Sequence, residues 1–183
     1  MKNFLIVVTI ILSVFFGGNA KAGLITVSID QNNVGIGETV EVTLYATGFD
    51  PFDFFDLNVN FDTTMFSFLP LTFMSDLPSF GLLSNQVASG VAISFLDFFP
   101  SSGDFLLAKF ELTALLSGFT HFDLVVNEFA LSDPFDIFAL ATPVNAGVSG
   151  QASATVASVP EPSTLAIFAL GMMGLASRRF KKQ

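Results

Sequence analysis

The chain has no cysteine and no tryptophan, and it has a single histidine and a single tyrosine. Without thiols there can be no disulfide framework, no thiolate metal site and no cysteine nucleophile. His121 is the only imidazole. A Ser-His-Asp site would also need a positioned serine and an oxyanion hole, and no G-x-S-x-G elbow is present. His121 has Asp123 two positions away, which is how neighbours on the exposed face of a strand are spaced. Paired carboxylates can hydrolyse glycosides, but in so acidic a chain some pair always lies close by chance. The expectation is a protein that is not an enzyme.

Positive charge is scarce wherever the chain is not terminal. The seven bases are Lys2, Lys21, Lys109, Arg178, Arg179, Lys181 and Lys182. Between Gly23 and Val159, Lys109 stands alone against fifteen carboxylates. Such a surface repels phosphate backbones, so nucleic acid is not expected as a partner. An acidic body stays soluble and attracts cations.

Both ends are apolar. Lys2 precedes a 13-residue apolar run, Phe4 to Phe16, which Gly17 and Gly18 break. Ala20 and Ala22 then supply small residues at the -3 and -1 positions of a cleavage site. This is a secretory signal, with cleavage expected after Ala22 and the Sec export machinery as partner. The run is short for a permanent span, which needs about 20 apolar residues.

The other end reads VPEPSTLAIFALGMMGLASRRFKKQ. Leu165 to Ala176 is uncharged over 12 residues. As a helix it reaches about 18 Å at ~1.5 Å per residue, short of a hydrocarbon core of ~30 Å. Snorkelling by Arg178 and Arg179 and local thinning of the bilayer extend its reach. Arg178, Arg179, Lys181 and Lys182 form a basic stop that stays cytoplasmic and leaves the body outside. A marginal span of this kind suits a temporary hold. Pro160 and Pro162 lack amide hydrogens and keep the preceding chain extended, in a form that a processing enzyme can grip.

This segment, Val159-Pro160-Glu161-Pro162-Ser163-Thr164 followed by a short Gly-containing apolar helix and a basic end, resembles the PEP-CTERM protein-sorting signal. Phe180, which interrupts the basic run, is the one departure. The same kind of segment is also labelled an ice-binding protein C-terminal domain, a label that carries no expectation of ice binding. The resemblance implies a Gram-negative bacterium that makes exopolysaccharide, and an exosortase that processes the chain near the Pro-Glu-Pro stretch. It also implies transient anchoring in the inner membrane through the C-terminal helix. The final location would be the cell envelope, the cell surface or the extracellular matrix.

The expected organisation is therefore a signal peptide at 1–22, one domain at 23–157 and a sorting segment at 158–183. Within the last, 165–176 is the short membrane helix and 178–182 the basic end. The middle is long enough to bury a core without disulfides, and most of the twenty-four Phe residues are available to fill it. It reads as strands. Glu38 to Ala46, Phe55 to Phe61, Leu106 to Ala114 and His121 to Val126 all alternate apolar with polar residues. Leu24 to Ile29, Met65 to Leu69, Val91 to Phe95 and the GQASATV stretch near residue 150 are further candidates. Asn32 to Glu38 reads as a turn-rich link. Short strands between Gly, Pro, Asn and Asp turns predict an all-β antiparallel sandwich flanked by the two terminal helices.

The run Gly37-Glu38, TVEVTLYATGF, then FDLNVNFDTTMFSFLP, with GDFLLAKFELTA later, resembles the opening and a later strand of cohesin-type domains. That resemblance implies a cohesin-like jelly-roll sandwich that binds a dockerin partner without catalysis. No residue is carried over as a dockerin contact.

Two features of the middle bear on ligands. Asp50, Asp53 and Asp56 cluster in DPFDFFD, and Asp133 and Asp136 recur in SDPFD. Calcium takes several carboxylate and carbonyl oxygens, so these are candidate calcium ligands. However, their spacing of three is not that of an EF-hand, and a solvated acidic loop anchored by Phe is the plainer reading. Phe49, Phe52, Phe54, Phe98, Phe99, Phe135 and Phe138 fall near expected loops or strand ends. Most are expected to be core or loop anchors, because sugar platforms more often use Trp and Tyr. Taken together, these features predict a noncatalytic envelope or matrix protein associated with exopolysaccharide or biofilm. The alternative is a carbohydrate-, calcium- or dockerin-binding module.

Overall fold

The computed structural model describes residues 22–132 and 140–158 together with Met172, a helical position. The expected signal helix, the PEP-CTERM residues from Val159 onward and nearly all of the 165–176 helix lie outside the described residues. Among the described residues no helix is long and apolar enough to cross a membrane.

The described residues form ten strands: β1 (Gly23–Ile29), β2 (Asn33–Gly35), β3 (Thr39–Asn60), β4 (Phe66–Met74), β5 (Leu82–Val87), β6 (Gly90–Ala114), β7 (Gly118–Leu131), β8 (Thr142–Pro143), β9 (Ala146–Ser149) and β10 (Ala152–Ala157). The all-β sandwich expected from the alternation is what the chain adopts. The register separates the strands into two sheets. In one, β9 runs parallel to β1, β1 antiparallel to residues 42–47 of β3, that half of β3 against residues 105–113 of β6, and β6 against β4. In the other, β5 pairs residues 90–95 of β6, the start of β6 pairs residues 54–60 of β3, and β3 pairs β7. β10 then lies antiparallel to β7 and parallel to β2. β8 pairs the end of β7.

Two expectations change here. The separate strands at 38–46 and 55–61 are one strand, β3, and those at 91–95 and 106–114 are one strand, β6. DPFDFFD is therefore not a loop. It is the stretch in which β3 crosses from one sheet to the other, and the β3–β6 register shifts repeatedly between Leu44 and Phe54. Bulges of this kind let a strand turn a sandwich corner while it stays paired. Pro51 and Pro100 lie in the same irregular stretches, where a missing ladder donor is tolerated. The supposed link at Asn32 to Glu38 holds the short strand β2.

The inner faces meet in one core. Ile25, Val40, Val42, Leu44, Phe110 and Leu112 come from the first sheet, and Leu57, Val59, Ile93 and Phe122 from the second; all are buried. Where the long strands cross, Phe49, Phe52, Phe55, Phe95, Phe105 and Phe129 pack ring on ring. Phe55 stacks on Phe129 at 5.0 Å and on Phe95 at 5.5 Å. A second group, Phe61, Phe66 and Phe122, closes the end of the sandwich from which β10 exits. Gly90 opens β6 at a φ of +152°, and a β-carbon there would lie 1.9 Å from the Val59 carbonyl oxygen. Only glycine lets the β5–β6 turn close onto β3.

Candidate functional site

Among the described residues, Ser89, His121 and Asp123 border one cleft, but no side-chain hydrogen bond joins them into a relay. His121 is exposed on the outer face of β7, edge-on to Phe119 at 4.7 Å. Asp123 lies further along the same face, directly opposite Asn60 of β3. With Asp62, Ser89 and Thr120 these residues line a shallow open cleft of about 460 Å³. Asp62 Oδ1 accepts hydrogen bonds from the Thr64 hydroxyl at 2.6 Å and the Thr64 amide at 2.9 Å. These bonds, the hydroxyl first, hold its carboxyl below the ordinary value of 3.8. They stabilise the turn after β3. The Oδ1 of Asn60 is buried without a hydrogen-bond partner.

The candidate calcium ligands divide. Asp50 is exposed, Asp53 is buried and Asp56 is intermediate, all on β3. Asp53 is turned inward at the irregular corner while Asp50 faces solvent, so these carboxylates do not gather into one site. Asp53 accepts from the Ser132 amide at 3.0 and 3.1 Å and from its hydroxyl at 3.3 Å. It thereby ties β3 to the end of β7. Asp56 accepts from the Asn127 side-chain amide across the same pair of strands. Asp133 and Asp136 lie outside the described residues. Among the described residues no three His, Cys, Asp or Glu side chains gather where they could hold a metal ion.

The Phe residues also divide. Phe49 and Phe52 are buried and Phe54 is half-buried, as anchors should be. Phe98 and Phe99 are not anchors; they are 81 % and 79 % exposed. Phe135 and Phe138 lie outside the described residues.

Exposed aliphatic side chains lie on the outer face of the second sheet, next along β6 from these rings. Leu83 of β5 lies opposite Ser94 of β6, two residues before Leu96, so the two leucines are diagonal neighbours on that face. Both are well exposed. Phe80 precedes β5 and is well exposed, and the Gly81 carbonyl accepts a backbone hydrogen bond from the Leu96 amide. Val125 of β7 adds a smaller exposed group beyond β3. Asp56 and Asn58 of β3 run between as a polar strip. Such a face can bury apolar area against another macromolecule, with carboxylates at its margin.

Sequence reasoning missed Leu83, Leu96 and Phe80. The doublets Leu82-Leu83 and Phe95-Leu96 each put one side chain inward and one outward, and without the partner strand either phase is possible. The residues of the sorting signal, Val159 to Thr164, the basic stop, Arg178 to Lys182, and Ala20 of the signal site lie outside the described residues. Ala22 is described; it is exposed, and β1 begins at the next residue.

Comparison with known proteins divides the chain along the same lines. Residues 158–182 match the profile of the PEP-CTERM protein-sorting motif. That match marks the chain for export and exosortase sorting to the cell envelope or surface of a Gram-negative bacterium. The body is similar in fold to cohesins. The seventh ScaB type I cohesin from Pseudobacteroides cellulosolvens superposes with a TM-score of 0.56 at 15 % identity, over 77 % of this chain and 96 % of that one. A non-cellulosomal cohesin from the archaeon Archaeoglobus fulgidus gives 0.55 at 12 % identity, over 79 % and 96 %. A type I cohesin–dockerin complex from Clostridium thermocellum gives 0.53 at 16 % identity, over 78 % and 99 %. No curated protein sequence matches the chain. The cohesin-like sandwich is thus the fold of the body, and the sorting motif is its C-terminal signal.

Proposed function

We propose that the chain is an exported, noncatalytic protein of the envelope or extracellular matrix, whose sandwich docks a macromolecular partner in an exopolysaccharide or biofilm setting. The signal peptide at 1–22 is removed after Ala22. An exosortase then grips the extended Val159-Pro160-Glu161-Pro162-Ser163-Thr164 stretch while Arg178, Arg179, Lys181 and Lys182 hold the tail inside. The observation that carries the docking role is the pair Leu83 and Leu96 on the outer face of the second sheet, with Phe80, Phe98 and Phe99 exposed in the adjoining stretches of a net-acidic body. Aliphatic and Phe side chains without Trp favour a protein surface over a sugar polymer as the direct contact. The dockerin carried by one similar structure supports protein docking as a use of this fold; it does not identify the partner here.

Two measurements test the parts separately. Intact mass in membrane and medium fractions of the host should find a species that starts at Gly23 and ends near Pro160-Glu161-Pro162. A membrane species that retains Arg178 to Gln183 would reduce the tail to an ordinary anchor. The variants Leu83→Asp and Leu96→Asp should release the protein from the matrix into the medium with an unchanged circular dichroism spectrum. Full retention would remove the docking face from the proposal.

A further inference from the structure

We infer that the end of the sandwich from which the tail leaves is a membrane-seating tip, and that it rests on the bilayer surface while the tail is still attached. The inference depends on the proposed insertion of the tail. β10 ends at Ala157, paired with Gly35 of the parallel strand β2, while Val156 lies opposite Gly118 at the start of β7. The turn that follows β2 and the link that precedes β7 therefore flank the exit of the chain. Both carry large apolar side chains where turns ordinarily carry polar ones. Ile36 is 39 % exposed in the turn, Leu115 and Leu116 are 45 % and 55 % exposed in the link, and Phe119 just beyond is 56 % exposed. The two segments are joined through their backbones: the Gly37 amide donates to the Ala114 carbonyl at 2.8 Å, and the Ala114 amide to the Glu38 carbonyl at 2.9 Å. Glu38, the carboxylate of the turn, accepts from the Gly35 amide at 2.8 Å and so folds back on its own backbone.

The length of the tether says what covers this tip. Only residues 158–164 separate β10 from the apolar run that begins at Leu165. Fully extended, that stretch reaches about 25 Å at ~3.3–3.6 Å per residue. A body held that close to the bilayer by its exit end presents Ile36, Leu115 and Leu116 to the interface. There, apolar side chains sink ~5–10 Å into the boundary between headgroups and acyl chains. The occupant is a lipid surface, and a zwitterionic one suits a body whose carboxylates anionic lipid would repel.

The absence of tryptophan makes the test direct. The full chain would be reconstituted through its own tail into phosphatidylcholine vesicles, with Leu116→Trp as reporter in one sample and Phe98→Trp, at the opposite end of the sandwich, in another. The expected result is blue-shifted emission at position 116 that is quenched by brominated lipid, with neither effect at position 98. Phe119→Trp supplies a second tip reporter if the first variant folds poorly. Introducing Ile36→Ser and Leu115→Ser together should abolish the quenching at position 116. A chain that floats with the vesicles but whose position 116 is quenched no more than position 98 overturns the seating and leaves the inserted tail intact. A blue shift without lipid quenching assigns the tip to a protein contact and also overturns it. A chain that does not float with the vesicles removes the inserted tail, and the seating with it.

Discussion

Asp53 and Asp62 are two carboxylates of one acidic chain that do structural work for different reasons. Asp53 is 6 % exposed and takes three hydrogen bonds from Ser132, which fasten the corner of β3 to the end of β7. Asp53→Ala leaves the Ser132 amide without its acceptor, and removing one partner of a buried hydrogen bond costs about 1–3 kcal/mol. Urea unfolding should show a lower midpoint with an unchanged slope, and Asp53→Asn, which keeps an acceptor, should lose less. An unshifted midpoint for the alanine variant would remove Asp53 as a strap. Asp62 is solvent-exposed, and its part is pH-dependent. Thr64 stabilises its charged form, so the folded carboxyl titrates below the ordinary 3.8. A depressed folded value contributes stability that is present above the unfolded value and lost as pH falls through the folded one. Thr64→Val should raise the Asp62 titration toward its ordinary value and flatten that part of the acid limb. Carboxyl carbon NMR of the two proteins would reveal it, and coincident titration curves would refute it.

At the scale of elements, β3 and β6 join the two sheets and carry the aromatic cluster between them. Phe55 is fully buried and stacked on two rings. Phe55→Ala should cost about 3–5 kcal/mol, as large-to-small changes at buried aromatics do. Phe98→Ala, at an exposed position of β6, should stay within ~0.5 kcal/mol of the parent. Chemical denaturation of both variants checks the pair, and equal losses would mean that the cluster is not where the sandwich is held. The halves of these strands were legible in sequence because residues 40–46, 57–61 and 108–112 alternate cleanly. Their continuity was not legible. Pro51 and Pro100 read locally as breakers, whereas the pairing survives them through register shifts that only the partner strand can supply. β2 and β9 are three and four residues long and gain their ladders from β10 and β1, far away in sequence. No local pattern announces strands of that kind. The exposed leucine pair was hidden for a related reason, since Leu83 and Leu96 look like core residues until β5 is set beside β6. The sorting motif was legible because its information is a linear order of residue types and needs no partner.

For the whole molecule, direction and charge decide what the body can do. β1 starts beside Thr47 at one end of the sandwich, and β10 ends beside Gly118 at the other. The two terminal segments therefore leave from opposite ends. A body seated on the membrane by its exit end, as proposed, would hold Gly23 away from the bilayer, so the proposed cleavage after Ala22 would have to precede seating. Among the described residues the strands that close the core fall between Gly23 and Ala157, so residues 23–158 are proposed as the unit that folds alone. That unit has one base. Lys109 pairs with Glu41 at 2.7 Å on a partly exposed face, an interaction worth ~0.2–1 kcal/mol. Glu41 also stands directly opposite Glu111, a like-charge pair that Lys109 offsets only in part. The remaining carboxylates repel one another over distances that salt controls. The screening length falls from about 30 Å at ~0.01 M to about 8 Å at ~0.15 M. Compaction brings these charges together, so screening relieves the folded state more than the unfolded one. The thermal midpoint of residues 23–158 should therefore rise with sodium chloride across that range. Lys109→Gln should lower the midpoint at low salt and converge with the parent as salt increases. A midpoint that is flat or falls with salt would mean that the carboxylates are already as far apart in the sandwich as in the unfolded chain. Charge would then set the partners of this body without setting its stability.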